Sequence, residues 1–246
     1  MKNYILKLAD DSLVMGQRLA EWCGKGPYLE EDIALTNIAL DYLGQSNQLF
    51  EYAADLSEKG TTADQLAFLR YEPEYLNCQL VELPNGDYAQ TLLKVYFFSL
   101  QQLILFEKLS QSGDERLQAI AQKSYKEVKY HFAHARMWLE IFAKGTAESQ
   151  LRLNQAIEVL WEYTGGLFDA TQGEEDLKSL ELIPSSQLLY KEWQERVNKD
   201  FLDFGLQVPS NNFMQKGSRT GYHTEYFGYL LCELQYMQRA YPGCQW

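Results

Sequence analysis

The tightest constraint on this chain is a pair of long stretches that put polar side chains on the face a helix must bury. In SYKEVKYHFAHARMWLEIF, around Tyr125 to Phe142, the residues Tyr125, Val128, His131, Ala135, Trp138 and Phe142 recur at three- and four-residue steps and share one helix face. In ALDYLGQSNQLFEYAADL, Ala39 to Leu56, the residues Asp41, Gln45, Leu49 and Tyr52 continue the same pattern from Ile38. A bundle that binds two metal ions places Glu-x-x-His on such a face of each of two helices. Here the corresponding frames read Val128-Lys-Tyr-His131 and Tyr42-Leu-Gly-Gln45. Of the four ligands, His131 alone is present.

The rest of the chain supplies helices to pack around these two. The first spans about Tyr4 to Trp22 and stops at Gly24-Lys-Gly-Pro27. The second runs from about Glu30 to Leu56, apolar nearly all round between Ile33 and Leu43 and therefore central. Residues 60–86 form the longest irregular connection, with a short helix N-capped by Thr62. A third long helix covers about Tyr88 to Ser110, and its VYFFSLQQLILF run predicts deep burial. The link at Ser112-Gly113 is short enough to make the fourth, about Asp114 to Ala143, its antiparallel neighbour. A fifth spans about Glu148 to Phe168, an exposed acidic stretch runs from Thr171 to Leu182, and a sixth helix covers about Gln187 to Asp203. After the turn-rich loop LQVPSNNFMQKGSRTG, the last helix runs from about His223 to Ala240. No repeat or linker divides the chain, so the expectation is one all-helical domain over residues 1–246 with about seven helices.

Composition narrows the function classes. The chain is 46% hydrophobic and 14% aromatic, enough for a substantial core in 246 residues. A net charge of −12 opposes binding to nucleic acid or to an anionic membrane. Cys23, Cys78, Cys232 and Cys244 form no C-x-x-C pair, which fits free thiols in a reducing cytoplasm. The N-terminal MKNYILKLADDS lacks a signal-peptide core, so a cytoplasmic location is expected.

A di-iron centre needs four carboxylates and two histidines, because hard iron ions require anionic oxygen ligands. Asp10 and Asp11 fall near the start of the first helix, and Leu13 takes the place assigned to an inward ligand there. The second helix offers Asp41 beside Tyr42 and Gln45, a neutral phenol and an amide that never ionises. The third has no acid between Asp87 and Glu107. The fourth has Glu127 four residues before His131, then His134. Two readings remain: an atypical metal site near Asp41, Glu127 and His131, or a buried hydrogen-bond network of Asp41, Tyr42, Gln45 and His131, which the scarcity of acids favours. His223 and Glu225 read as capping and surface residues. No nucleophile elbow, phosphate loop or dinucleotide fingerprint is present.

The strings EWCG, LDYLGQ, PNGDYA and HTEYFG, with KEVKYHFAHARMWLE, carry a resemblance over almost the whole chain. They are similar to the PaaC subunits of phenylacetate-CoA oxygenases. The resemblance implies a ferritin-like helical fold and membership in a multicomponent ring 1,2-phenylacetyl-CoA epoxidase of aerobic phenylacetate catabolism. It implies a homologous di-iron alpha subunit as catalytic partner, and a reductase with flavin (FAD) and iron–sulfur groups that draws on NADPH. This chain would then be the non-catalytic, structural partner without a cofactor of its own, a homodimer remaining open when it is alone. Leu13, Tyr42, Gln45, Val128 and His131 would be its degenerate di-iron positions. Lys216 and Arg219, in a glycine-containing loop, are either solvated charges or a contact for a CoA phosphate at the subunit junction.

Overall fold

The computed structural model describes residues 1–210 and 213–244. Asn211 and Asn212 of the turn-rich loop, and Gln245 and Trp246 of the C-terminal tail, lie outside the described residues. The described residues are all-α, and the long helices expected from periodicity are present: α1 (Lys2–Ala20), α2 (Leu29–Asp55), α5 (Tyr88–Leu109), α6 (Glu115–Lys144), α7 (Ala147–Leu160), α9 (Ser186–Phe204) and α10 (Glu225–Ala240). Between them lie three short helices, α3 (Ala63–Phe68), α4 (Gln79–Glu82) and α8 (Glu174–Ser179). Thr62 caps α3 in a reciprocal box with Gln65. The chain divides into two compact units, one of residues 1–84 and 217–246, the other of residues 85–216.

In the first unit α1 packs along α2, and α10 reaches α3. The segment of residues 69–83 buries Tyr75, Leu80, Val81 and Leu83, and buried ions fix its backbone. Asp10 and Asp11 lie in the middle of α1, not near its start, and both are buried. Asp10 takes both terminal nitrogens of Arg70, one of them at 3.0 Å, and the Leu76 N–H at 2.8 Å. Burial pushes its carboxyl up against the pull of that guanidinium. Asp11 accepts from the Cys78 N–H and from Arg219, each at 2.7 Å, and Arg219 also donates to the Leu76 carbonyl.

A third carboxylate closes the cluster. Glu82, fully buried, accepts from Asn77 at 2.8 Å and from the Thr224 N–H and hydroxyl at 2.7 and 2.8 Å. His223 Nδ1 meets the same carboxylate at 2.6 Å, and Nε2 lies 3.1 Å from the Tyr75 carbonyl. His223 is therefore an interior residue rather than a surface one, while Glu225 remains exposed in the first turn of α10.

The second unit pairs α5 with α6 and adds α7 and α9 across α5. Phe97 sits among Trp161, Trp193 and Phe201 at ring-centroid distances of 5.9, 5.6 and 6.2 Å. Trp193 donates its indole N–H to the Phe97 carbonyl at 3.1 Å. Arg136 of α6 grips Asp200 of α9 through two nitrogens, and Tyr96 of α5 donates to the same carboxylate at 3.0 Å.

Two expectations need correction here. The fifth helix does not continue to Phe168 as α-helix: from Trp161 onward it tightens to a 3-10 helix. Gly165 lets the loop segment 213–216 lie directly against it, since a Cβ there would stand 2.8 Å from the Met214 side chain. The acidic stretch from Thr171 is also not wholly exposed, because Glu174 is buried with its carboxylate on the Thr171 N–H and hydroxyl.

The Asp11–Arg219 pair sets the first expected outcome. Its side chains are 3% and 2% exposed, so removing one partner strands the other charge in the interior. Arg219→Ala should lower the unfolding free energy by about 3 kcal/mol in a urea titration. A loss below about 1 kcal/mol would mean that water already serves Asp11.

Candidate functional site

The residues singled out by the helical period divide between the units. Tyr42 and Gln45 belong to α2 in the first, Val128 and His131 to α6 in the second, and all four are buried. Their burial follows from the sequence, since each lies on the apolar face of its helix.

In the first unit the Gln45 amide donates to the Ser12 hydroxyl at 2.7 Å, and Ser12 donates onward to the Leu8 carbonyl at 2.9 Å. Ser46 adds a second tie, to the Ala9 carbonyl at 3.1 Å. These bonds fix the register of α2 on α1. On α1 it is Ser12 that meets Gln45. Leu13 is turned about one third of the way round the helix. It faces a groove of about 240 Å³ shared with Leu43, Phe50, Ala67 and Phe68. Tyr42 is wholly buried, and that burial, reinforced by the charge of Asp41, keeps its phenol neutral far above the ordinary value.

In the second unit Val128 and His131 lie one turn apart on α6, with no exposed surface. Glu127 is half-buried on the same helix, and His134 stacks on Tyr130 at 5.8 Å. The acid-free middle of α5 carries a buried lysine instead. Lys94 is fully buried and donates to the Asn85 amide oxygen at 3.2 Å. Sequence reasoning passes over it, although a lone lysine inside a helix apolar on all sides is itself the signal of a buried ion.

Chemically, these positions supply an amide, hydroxyls, a neutral phenol, an aliphatic side chain and one imidazole. A pair of iron ions carries several positive charges and needs carboxylates to offset them. Among the described residues no group of three or more His, Cys, Asp or Glu gathers to hold a metal ion. The side chains at these positions therefore do not fit a di-iron centre.

The two loop cations have different fates. Arg219 is no solvated loop charge: it lies in a buried 3-10 turn and is held by Asp11. Lys216 is exposed.

Fold and site together define an all-α protein of the ferritin-like class, without the ligand cluster of a metal-binding member among the described residues. A family model described as "Phenylacetic acid catabolic protein" matches residues 1–246, and the chain belongs to that family. It is 42% identical over 243 residues to the C subunit of 1,2-phenylacetyl-CoA epoxidase from Escherichia coli (strain K12), covering 99% of this chain and 98% of that protein. The resemblance carried by the sequence strings is thus confirmed. Among the described residues no helix is long and apolar enough to cross a membrane.

The Ser12–Gln45 bond gives a local test. Ser12→Ala leaves the buried Gln45 donor without its acceptor and should cost about 1–3 kcal/mol of stability in the same titration. Leu13→Ala should also cost about 2 kcal/mol or more, but through lost packing in the groove, so only the Ser12 change should be softened by pairing it with Gln45→Leu.

Proposed function

We propose that this chain is the supporting, non-catalytic subunit of a multicomponent 1,2-phenylacetyl-CoA epoxidase in aerobic phenylacetate catabolism. Its whole length acts as one ferritin-like domain in the cytoplasm. The observation that carries the reading is the neutral donor set of the inner helix faces, where Gln45 is bonded to Ser12 and Tyr42 is held uncharged. Its 42% identity with a protein named as the C subunit of that epoxidase, over nearly the full length of both, supports the assignment to this complex.

On this reading a homologous alpha subunit holds the two iron ions and epoxidises the CoA-linked ring with dioxygen. A reductase carrying flavin and iron–sulfur groups passes it electrons from NADPH. Loss of clustered carboxylates frees a bundle from a repulsion that only a bound cation offsets. The supporting subunit then stands without iron and contributes its outer surface, packing against its catalytic partner over more than about 2,000 Å², the range of obligate pairs. Lys216, exposed in its loop, is the one of the two loop cations left to meet a CoA phosphate at the junction.

Co-expression with the alpha subunit decides the matter. We expect a stable complex on size-exclusion chromatography and epoxidation only when both chains are present. An alpha subunit that is soluble and fully active by itself would sink the supporting role. Metal analysis of this chain purified alone should find far less than one iron per chain, whereas near-stoichiometric iron or manganese would favour an atypical site near Asp41, Glu127 and His131. Lys216→Ala should raise KM for phenylacetyl-CoA in the complex, and an unchanged KM removes the CoA contact. Arg219 cannot serve in that test, since its loss unsettles the fold.

A further inference from the structure

The outer face of α6 carries an open seam. Lys123, Lys126, Tyr130, Ala133, Met137 and Ile141 follow one another at steps of three and four residues, and every one is exposed. Tyr130, Met137 and Ile141 are 53%, 47% and 47% exposed. Such steps are the spacing along which one helix packs on another. The inward side of α6 has its own run of this kind, through Leu117, Val128, Ala135 and Leu139, and that one is filled: the residues are buried and α5 packs alongside. One helix thus presents two seams, of which the described residues fill one.

The first half of the open seam is cationic. Lys129, also exposed, flanks Lys123 and Lys126, and the three span about 9 Å of the helix axis. Among the described residues none of them has a carboxylate within ion-pair distance. Lys108, Lys144 and Lys178 of the same unit do, meeting Glu192, Glu140 and Glu175 at 3.0, 2.6 and 3.0 Å. Lysines three residues apart repel one another and weaken their own helix, so the run has no local reason to exist. It places unbalanced positive charge on a chain whose 34 acids outnumber its 22 bases.

We infer that the open seam of α6 docks a helix of another protein, acidic where it faces the lysines and apolar where it faces Tyr130, Met137 and Ile141. The seam runs about 27 Å from Lys123 to Ile141, five turns of a partner helix. Ala133 at its middle has only a methyl group, so a partner can approach closely there, and the unbranched Met137 adapts to what lies on it. A compact anion such as phosphate finds no enclosure on a convex helix face. Nucleic acids and anionic bilayers are extended polyanions, which the net charge of −12 repels. A folded partner differs from both in presenting its acids to this strip alone. Lysine is depleted in the cores of lasting interfaces, so the contact is reversible and steered by charge.

Titration of the purified chain tests this without any other epoxidase component, so its result is independent of the supporting role argued above. The probe is a synthetic helical peptide of about 20 residues, with glutamates on one face of its first half and leucines on the same face of its second. Its control has glutamine for every glutamate. In low salt the natural chain should bind the acidic peptide roughly tenfold more tightly than the control, and high salt should erase the difference. The triple variant Lys123→Gln, Lys126→Gln, Lys129→Gln should keep its Tm and bind both peptides alike. Met137→Gln should weaken both by roughly fivefold, through the apolar half. Binding of neither peptide, equal binding of both by the natural chain, or a preference that survives the triple variant overturns the proposal. Two further results would also overturn it by naming another occupant. Lysine-dependent pelleting with phosphatidylglycerol vesicles would point to a bilayer, and self-association that the triple variant abolishes would point to a second copy.

Discussion

Three carboxylates buried around α1 hold the first unit together. Asp10, Asp11 and Glu82 would each be costly in the interior if left alone. Arg70, Arg219 and His223 meet them, and backbone N–H groups of Leu76, Cys78 and Thr224 complete their shells. Such a cluster contributes less to net stability than to uniqueness, because the desolvation of each ion offsets most of its attraction. What it does fix is where an irregular segment goes. Residues 69–83 have no long helix of their own, and their amides and carbonyls are placed by ions from α1 and from the C-terminal segment. Cys78 is sealed in by the same contacts, its thiol pushed well up by burial and so poorly reactive.

Against that ionic frame, the buried positions of α2 that share a metal centre's spacing carry the neutral groups of Tyr42 and Gln45. Gln45 and Ser12 satisfy one another, and Tyr42 keeps its proton. Ions are therefore not excluded from this protein's interior; they occur where a partner was built for them.

Much of the architecture is legible from period and punctuation. The seven long helices among the described residues fall within about two residues of their sequence-read ends, apart from the 3-10 continuation at Trp161. Thr62 caps where it should, and the apolar run of α5 is buried as its composition requires. The errors share one cause. Asp10, Asp11, His223 and Arg219 look from their local surroundings like parts of a helix start, a cap and a loop. Their roles come instead from partners far away in the chain: 208 positions separate Asp11 from Arg219, and 141 separate Glu82 from His223. Ser12 shows a finer limit. The period says that one face of α1 turns inward, but not which of two adjacent residues meets Gln45, and a shift of one residue turns the side chain by about 100°.

The sequence by itself determined that the chain is helical, which helix faces are inward, and that the metal-site frames read Tyr42-Leu-Gly-Gln45 and Val128-Lys-Tyr-His131, since helix period and residue charge are local properties that survive without coordinates. The family membership was equally open to it, carried by strings that run the length of the chain. Only the tertiary structure decided that Ser12 bonds Gln45 and that Arg219 is an interior counter-ion. Each of those depends on the distance between residues remote in sequence, and distance is what the folding of the chain creates.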